Sequence, residues 1–214
     1  MSENAIQVID LNKRFGRHMV LSGVTFDIPK GQTIGLVGNN GSGKSVLLKC
    51  LCGLLVPSSG TVLINGKQLH KDIGFAPEIG AVIEAPGFLP QRSGYANLIA
   101  LWGLNKRVAK TAVSEAMERV GLDPHNRKRV GKYSMGMKQR LGIAQALMEN
   151  PSILLLDEPF NGLDKNGQRD MYALIRTLQS SGVTALLASH NMQDIEALCA
   201  TVYEMDAGVL TQIR

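Results

Sequence analysis

The run Gly38-Asn39-Asn40-Gly41-Ser42-Gly43-Lys44-Ser45 constrains this chain more tightly than any other stretch. Its glycines let the backbone curl without Cβ clashes, and the Lys-Ser pair that ends it sits where a helix can open. Thr33-Ile34-Gly35-Leu36-Val37 before it reads as a short buried strand, and Val46-Leu47-Leu48-Lys49-Cys50-Leu51-Cys52 after it as an apolar helix. Strand, glycine loop and helix in that order aim successive N–H groups and the positive end of a helix at one anion. The expectation is a phosphate cradle, with Lys44 reaching β and γ phosphates and the Ser45 hydroxyl on Mg2+.

The rest of the chain suits an α/β fold around that loop. Ile6 to Leu11 and Val20 to Ile28 read as strands of a small antiparallel sheet, the second placing Val24, Phe26 and Ile28 inward against Thr25 and Asp27 outward. Thr61 to Ile64 is a further strand and Asn65-Gly66 a hairpin signal. From Lys71 to Arg92 the glycines and prolines predict a loop, with short strands at Ile73-Gly74-Phe75 and Ala81-Val82-Ile83. The period then becomes helical from Ser93 to Asn150, through Val113, Met117 and Val120 and through Met137, Leu141, Ala144 and Met148. Ile153 to Leu156 and Thr184 to Ala188 read as buried strands, with a helix from Gln168 to Gln179 between them, as in a parallel sheet. Asn191 caps a last helix, and a hairpin around Asp206-Ala207-Gly208 closes the chain.

Composition is that of a soluble globular protein, 44% hydrophobic, with no apolar run long enough to span a membrane and no secretion signal at Met1-Ser2-Glu3-Asn4-Ala5, so a cytoplasmic chain is expected. Cys50, Cys52 and Cys199 form no metal-binding spacing, and the first two read as small apolar residues of the helix after the loop. The net charge of +5 is concentrated: Asn105 to Arg140 holds ten Lys or Arg against three Asp or Glu. That stretch is either a surface for anionic lipid or nucleic acid or a solvated helical face, and its longest basic run, Arg127-Lys128-Arg129, is too short to specify nucleic acid.

Two further strand ends carry chemistry. Asp157-Glu158 follows the Leu154 to Leu156 strand, at the sheet edge where parallel sheets bind ligands. Paired acids there divide naturally, Asp157 holding hydrated Mg2+ and Glu158 polarising an attacking water. Ser189-His190 follows the next strand, so that His190 can reach a γ-phosphate oxygen. Phe15, shortly before the loop, is either a core residue or an aromatic that stacks on a purine.

With these residues in hand, the chain from Ile6 onward resembles the nucleotide-binding subunits of ATP-binding cassette (ABC) transporters. Tyr133-Ser134-Met135-Gly136-Met137-Lys138-Gln139-Arg140 is similar to the family's signature motif, and Ile153 to Pro159 follows at the expected distance. The resemblance implies a P-loop NTPase core with a mainly parallel sheet, an N-terminal antiparallel β subdomain and an inserted helical subdomain, divided at 1–92, 93–150 and 151–214. It further implies that Phe15 stacks on adenine, that Gly38, Asn39, Asn40, Gly41, Ser42, Gly43, Lys44, Ser45 and Val46 hold the nucleotide, and that Lys44, Glu158 and His190 are catalytic. Ser134 and Gly136 then contact phosphate from the opposite copy of a dimer, and Asn161-Gly162-Leu163-Asp164 resembles the D-loop. Two departures stand out. Met135 replaces a signature glycine, and Glu84 in Gly80-Ala81-Val82-Ile83-Glu84-Ala85-Pro86-Gly87-Phe88 stands where the family's glutamine loop has Gln, with Glu78 as the rival alignment. Both resemble the branch of bacitracin-resistance and bacteriocin-immunity exporters.

The function implied is a Mg2+-dependent ATPase motor that drives a separate integral membrane permease, pairs on ATP with itself or with a second cassette, and lies on the inner face of the cell membrane. Glu84 joins Ser45 and Asp157 at the metal in this reading, and no nucleic acid is expected. The alternatives are a soluble cassette acting on ribosomes or DNA, which this length disfavours, and a nucleotide switch that barely hydrolyses, which Lys44, Asp157, Glu158 and His190 together disfavour.

Overall fold

The computed structural model describes residues 3–76, 78–84, 87–105 and 108–214. Readings that involve Met1, Ser2, Pro77, Ala85, Pro86, Lys106 and Arg107 therefore lie outside the described residues.

Two sheets form the frame. The first is antiparallel, ordered β2-β1-β4-β5, from β1 (Asn4–Phe15), β2 (His18–Pro29), β4 (Ser59–Ile64) and β5 (Lys67–Gln68). Strands β1 and β2 run further than their sequence pattern implies, joined by a tight hairpin that sets Phe15 opposite His18. The extension is legible only in three dimensions. Bulges between Val8 and Leu11 and around Lys13 break the inward-outward alternation that marks a strand in sequence.

The second sheet runs β10-β9-β3-β8-β7-β6, from β3 (Thr33–Val37), β6 (Ile79–Val82), β7 (Ile153–Asp157), β8 (Thr184–Ser189), β9 (Thr201–Asp206) and β10 (Val209–Gln212). Its pairs are parallel except the closing β9–β10 hairpin. The strand expected at Ala81 to Ile83 starts at Ile79, because β7 supplies the partners Ile153 to Leu156 for Ile79 to Val82. The strand expected at Ile73 to Phe75 does not form. Ile73 makes one isolated bridge to Leu69, and Phe75 is exposed.

Both faces of this sheet are covered, which is why its central strands read as unbroken apolar runs. Ile153 and Leu155 of β7 join a core with Val8, Val24 and Ile28 of the antiparallel sheet and with Leu47, Leu48 and Leu51 of α1 (Lys44–Leu51). Leu154 and Leu156 face the other way, into a core shared with α2 (Gly94–Asn105), α3 (Thr111–Arg119), α4 (Met135–Leu147), α5 (Lys165–Ser180) and α6 (Met192–Glu196). Cys50, Cys52 and Cys199 are buried. Burial pushes the Cys50 thiol up to about 11, so these cysteines act as packing groups. At Gly80 a Cβ would lie 2.2 Å from the Ala146 carbonyl oxygen, so the last turn of α4 rests directly on the β6 backbone.

Candidate active site

Three parallel strands end level with one another. Val37 of β3 pairs with Ser189 of β8, and Asp157 of β7 pairs with Ala188. Everything that follows these residues therefore emerges at one edge of the sheet, beside the loop that β3 feeds. The loop depends on its glycines: Gly43 has φ 112°, and a Cβ on Gly38 would lie 2.3 Å from the Met205 carbonyl oxygen.

Lys44, the first residue of α1, is buried, and its ammonium donates to the carbonyls of Gly38 at 2.6 Å and Asn39 at 3.2 Å. The Ser45 hydroxyl donates to Asp157 Oδ2 at 2.5 Å. Burial raises the Asp157 carboxyl above its ordinary range, and the negative neighbour Glu158 adds to this; Ser45, Lys44 and the Glu84 backbone amide pull the other way. Glu158 turns sharply out of the strand, at φ 50°, with its N–H on the Ala188 carbonyl at 2.8 Å. Its Oε1 accepts the His190 backbone N–H at 3.0 Å and lies 2.9 Å from His190 Nδ1, while Oε2 accepts the Ser189 hydroxyl at 3.3 Å.

A cleft of about 200 Å³ opens on these groups, lined by Val20, Asn40, Gly41, Gly43, Lys44, Ser45, Val46, Asp157 and Glu158. A neighbouring depression runs from Gly38 and Asn39 to His190. The Ser42 hydroxyl is buried without a hydrogen-bond partner among the described residues. Glu84 stands just past the end of β6, at the same sheet edge, but its side chain turns to Lys49, with Nζ 2.5 Å from Oε1. Glu78 precedes β6 at the opposite edge, where its carboxylate accepts from Asn65 Nδ2 and its carbonyl from the Ile153 N–H.

Other expected residues lie elsewhere. Phe15 ends β1 with the Lys13 ammonium 4.9 Å from its ring centroid; at 49% exposure it is not a core residue. Ser134 caps α4 by accepting the Met137 N–H at 3.2 Å, and Gly136 lies against the Gly162 carbonyl and Leu163. Asp164 caps α5 by accepting the Gly167 N–H at 2.8 Å. None of these four lines the cleft beside Lys44.

Three contributors escape a reading of motifs one by one. Val20 of β2 walls the cleft, Ser189 braces Glu158, and the Gln139 amide donates to the Glu158 carbonyl at 3.1 Å, tying α4 to the same sheet edge. The available signal for Gln139 was a polar residue three and four positions before the buried Gly142 and Ile143, on the side of α4 away from Leu141 and Ala144.

The ABC transporter family model matches residues 21–161. The chain belongs to the ABC transporter family. It is 42% identical over 205 residues to an uncharacterised ABC transporter ATP-binding protein of Bacillus subtilis, covering 96% of this chain and 94% of that one. The bacitracin transport ATP-binding protein of Enterococcus faecalis is 38% identical, over 98% of this chain and 69% of its own length. The lantibiotic transport ATP-binding protein of Streptococcus pyogenes is 34% identical, over 90% and 83%. Among solved structures, a dimeric ATP-binding cassette in a post-hydrolysis state with ADP and Pi shares the fold, at a TM-score of 0.85 and 21% identity over 98% and 99% of the two chains.

The donors fit a nucleotide with its metal. Among the described residues no cluster of three or more His, Cys, Asp or Glu surrounds Ser45 and Asp157, so a cation there needs phosphate oxygens and water to complete its shell, which is how Mg2+ is bound in phosphate sites.

Proposed function

We propose that this chain is the ATP-binding and ATP-hydrolysing motor subunit of an exporter, coupled to a separate membrane permease. The observation that carries this is the convergence of Lys44, Ser45, Asp157, Glu158 and the Glu158–His190 contact on one sheet edge. In the proposed cycle the Lys44 ammonium exchanges its two loop carbonyls for β and γ phosphate oxygens, while the amides of Gly38 to Ser45 take the remaining charge. Ser45 and Asp157 would hold Mg2+, which when bound would offset the negative charge of the phosphates. Glu158, oriented by Ser189 and His190, positions the attacking water, and His190 donates to the γ phosphate. Phe15 stacks on adenine, and Asp164 sets the turn beside the second copy.

Ser134 and Gly136 complete the site from a second copy of the chain or a related cassette, an arrangement supported by the exposure of this part of α4 away from the Lys44 cleft. No helix among the described residues is long and apolar enough to cross a membrane; in this reading the permease holds the cassette at the membrane. Relatives named for bacitracin and lantibiotic transport support a peptide antibiotic as cargo. The test is phosphate release from ATP. Turnover should require Mg2+ and fall about 100- to 1000-fold in Glu158→Gln with ATP binding retained; wild-type turnover in that variant removes Glu158 from the role.

A further inference from the structure

Helix α1 carries two polar side chains one turn apart on one flank, Ser45 and Lys49, and each holds a carboxylate. Ser45 donates to Asp157 at the end of β7, and the Lys49 ammonium lies 2.5 Å from Glu84 Oε1, two residues past β6. Because β6 and β7 are paired with Val82 opposite Leu156, the two carboxylates stand at adjacent strand ends. The Glu84 backbone amide favours the charged form of Asp157, which places the Glu84 main chain beside the carboxylate proposed to hold metal. Its side chain turns away, to Lys49. The Glu84 side chain is 61% exposed and that of Lys49 27%, so the pair is partly solvated and inexpensive to open.

We infer that Lys49 is a positioning residue for the metal site: it is the counter-cation that holds the Glu84 carboxylate aside, in competition with a divalent ion at Ser45 and Asp157. The inference rests on the reading of Glu84 as a metal-side carboxylate. One carboxylate faces two sources of positive charge, and whichever is closer takes it. A glutamine at position 84 would lack this competition, because a neutral carbonyl gains little from an ammonium. The pair then tunes metal affinity rather than blocking it, since a partly exposed ion pair is weak.

The experiment is a Mg2+ titration of trinitrophenyl-ATP binding to the full chain at constant ionic strength, read by fluorescence so that no turnover is needed. Lys49→Met should lower the Mg2+ concentration for half-saturation roughly two- to fivefold, the size expected for loss of a partly exposed pair. Lys49→Arg should restore the wild-type value, and Lys49→Met should have no effect in a Glu84→Gln background. An unchanged or raised half-saturation in Lys49→Met, or a shift that persists with Glu84→Gln, overturns the inference. If Lys49→Met does not fold, Lys49→Gln carries the same test. Glu84→Ala separates the two readings. An unshifted Mg2+ curve for that variant overturns both, whereas a raised half-saturation beside an unshifted Lys49→Met overturns the inference alone.

Discussion

The sheet edge beside the glycine loop and the N-terminal end of α4, where the proposed signature residues lie, solve opposite problems. At the edge, the functional side chains find partners within the chain: Lys44 on two loop carbonyls, Ser45 on Asp157, Glu158 on Ser189 and His190. At the start of α4, the Ser134 hydroxyl caps its own helix, and Met135 is 65% exposed while leaning on Gly162. Internal pairing holds the first set in place before any ligand arrives, so little ordering remains to be done on binding. The second set is left facing outward, which suits groups that complete a site on another copy.

That contrast can be broken at either end. Lys44→Ala strikes the self-paired edge and should weaken ATP binding by roughly tenfold or more even in the isolated chain, because it removes a charge-assisted contact to phosphate. Equilibrium binding of a fluorescent ATP analogue measures it, and affinity within twofold of wild type would show that the loop amides suffice. Ser134→Ala strikes the outward face. It should leave binding to the single chain intact, yet lower turnover about tenfold and abolish the ATP-dependent dimer that light scattering detects in Glu158→Gln. A binding defect in the monomeric Ser134→Ala chain would mean that the two regions are not separate.

A finer division lies within the edge itself. Glu84→Ala should raise the Mg2+ requirement of ATPase activity about threefold, whereas Glu78→Ala, at the far end of β6, should leave the titration unchanged. The opposite pattern would transfer the role to Glu78. The mildest effect on turnover is expected from Tyr172→Phe. Tyr172 of α5 donates its hydroxyl to the buried Asp194 of α6, and its own ionisation is pushed up to about 12 by burial first and by Asp194 second. Losing that bond should cost about 1 to 2 kcal/mol of stability in a denaturant titration with ATPase activity nearly unchanged. A large loss of activity at wild-type stability would make Tyr172 part of the site's geometry.

Much of this was legible because it is written locally. The glycine loop, the apolar runs at Thr33 to Val37 and Ile153 to Leu156, and the 3.6-residue period through α4 each declare themselves within a dozen residues, and the strand ends that converge on Lys44 follow from parallel pairing. What stayed hidden depends on partners distant in sequence. The start of β6 at Ile79 is chosen by β7, more than seventy residues later, and the bulged ends of β1 and β2 lose the alternation that would have marked them. The pairing of Glu84 with Lys49 joins residues 35 apart across a helix and a strand, and no spacing rule describes it.

The seat of α4 on Gly80 has a mechanical consequence. The helix bears Ser134 at one extremity, while its opposite extremity, at Ala146, presses on bare backbone. Thirteen residues make an arm of about 20 Å. A rotation of about 5° around that fulcrum displaces the far tip by nearly 2 Å, more than the whole range over which a hydrogen bond keeps its strength. The same strand, β6, runs on to Glu84. That seat sets the tilt of α4 together with the core packing of Leu141 and Ala144 and the Gln139 amide on Glu158, so a methyl group added at Gly80 would press on the helix at the end farthest from Ser134.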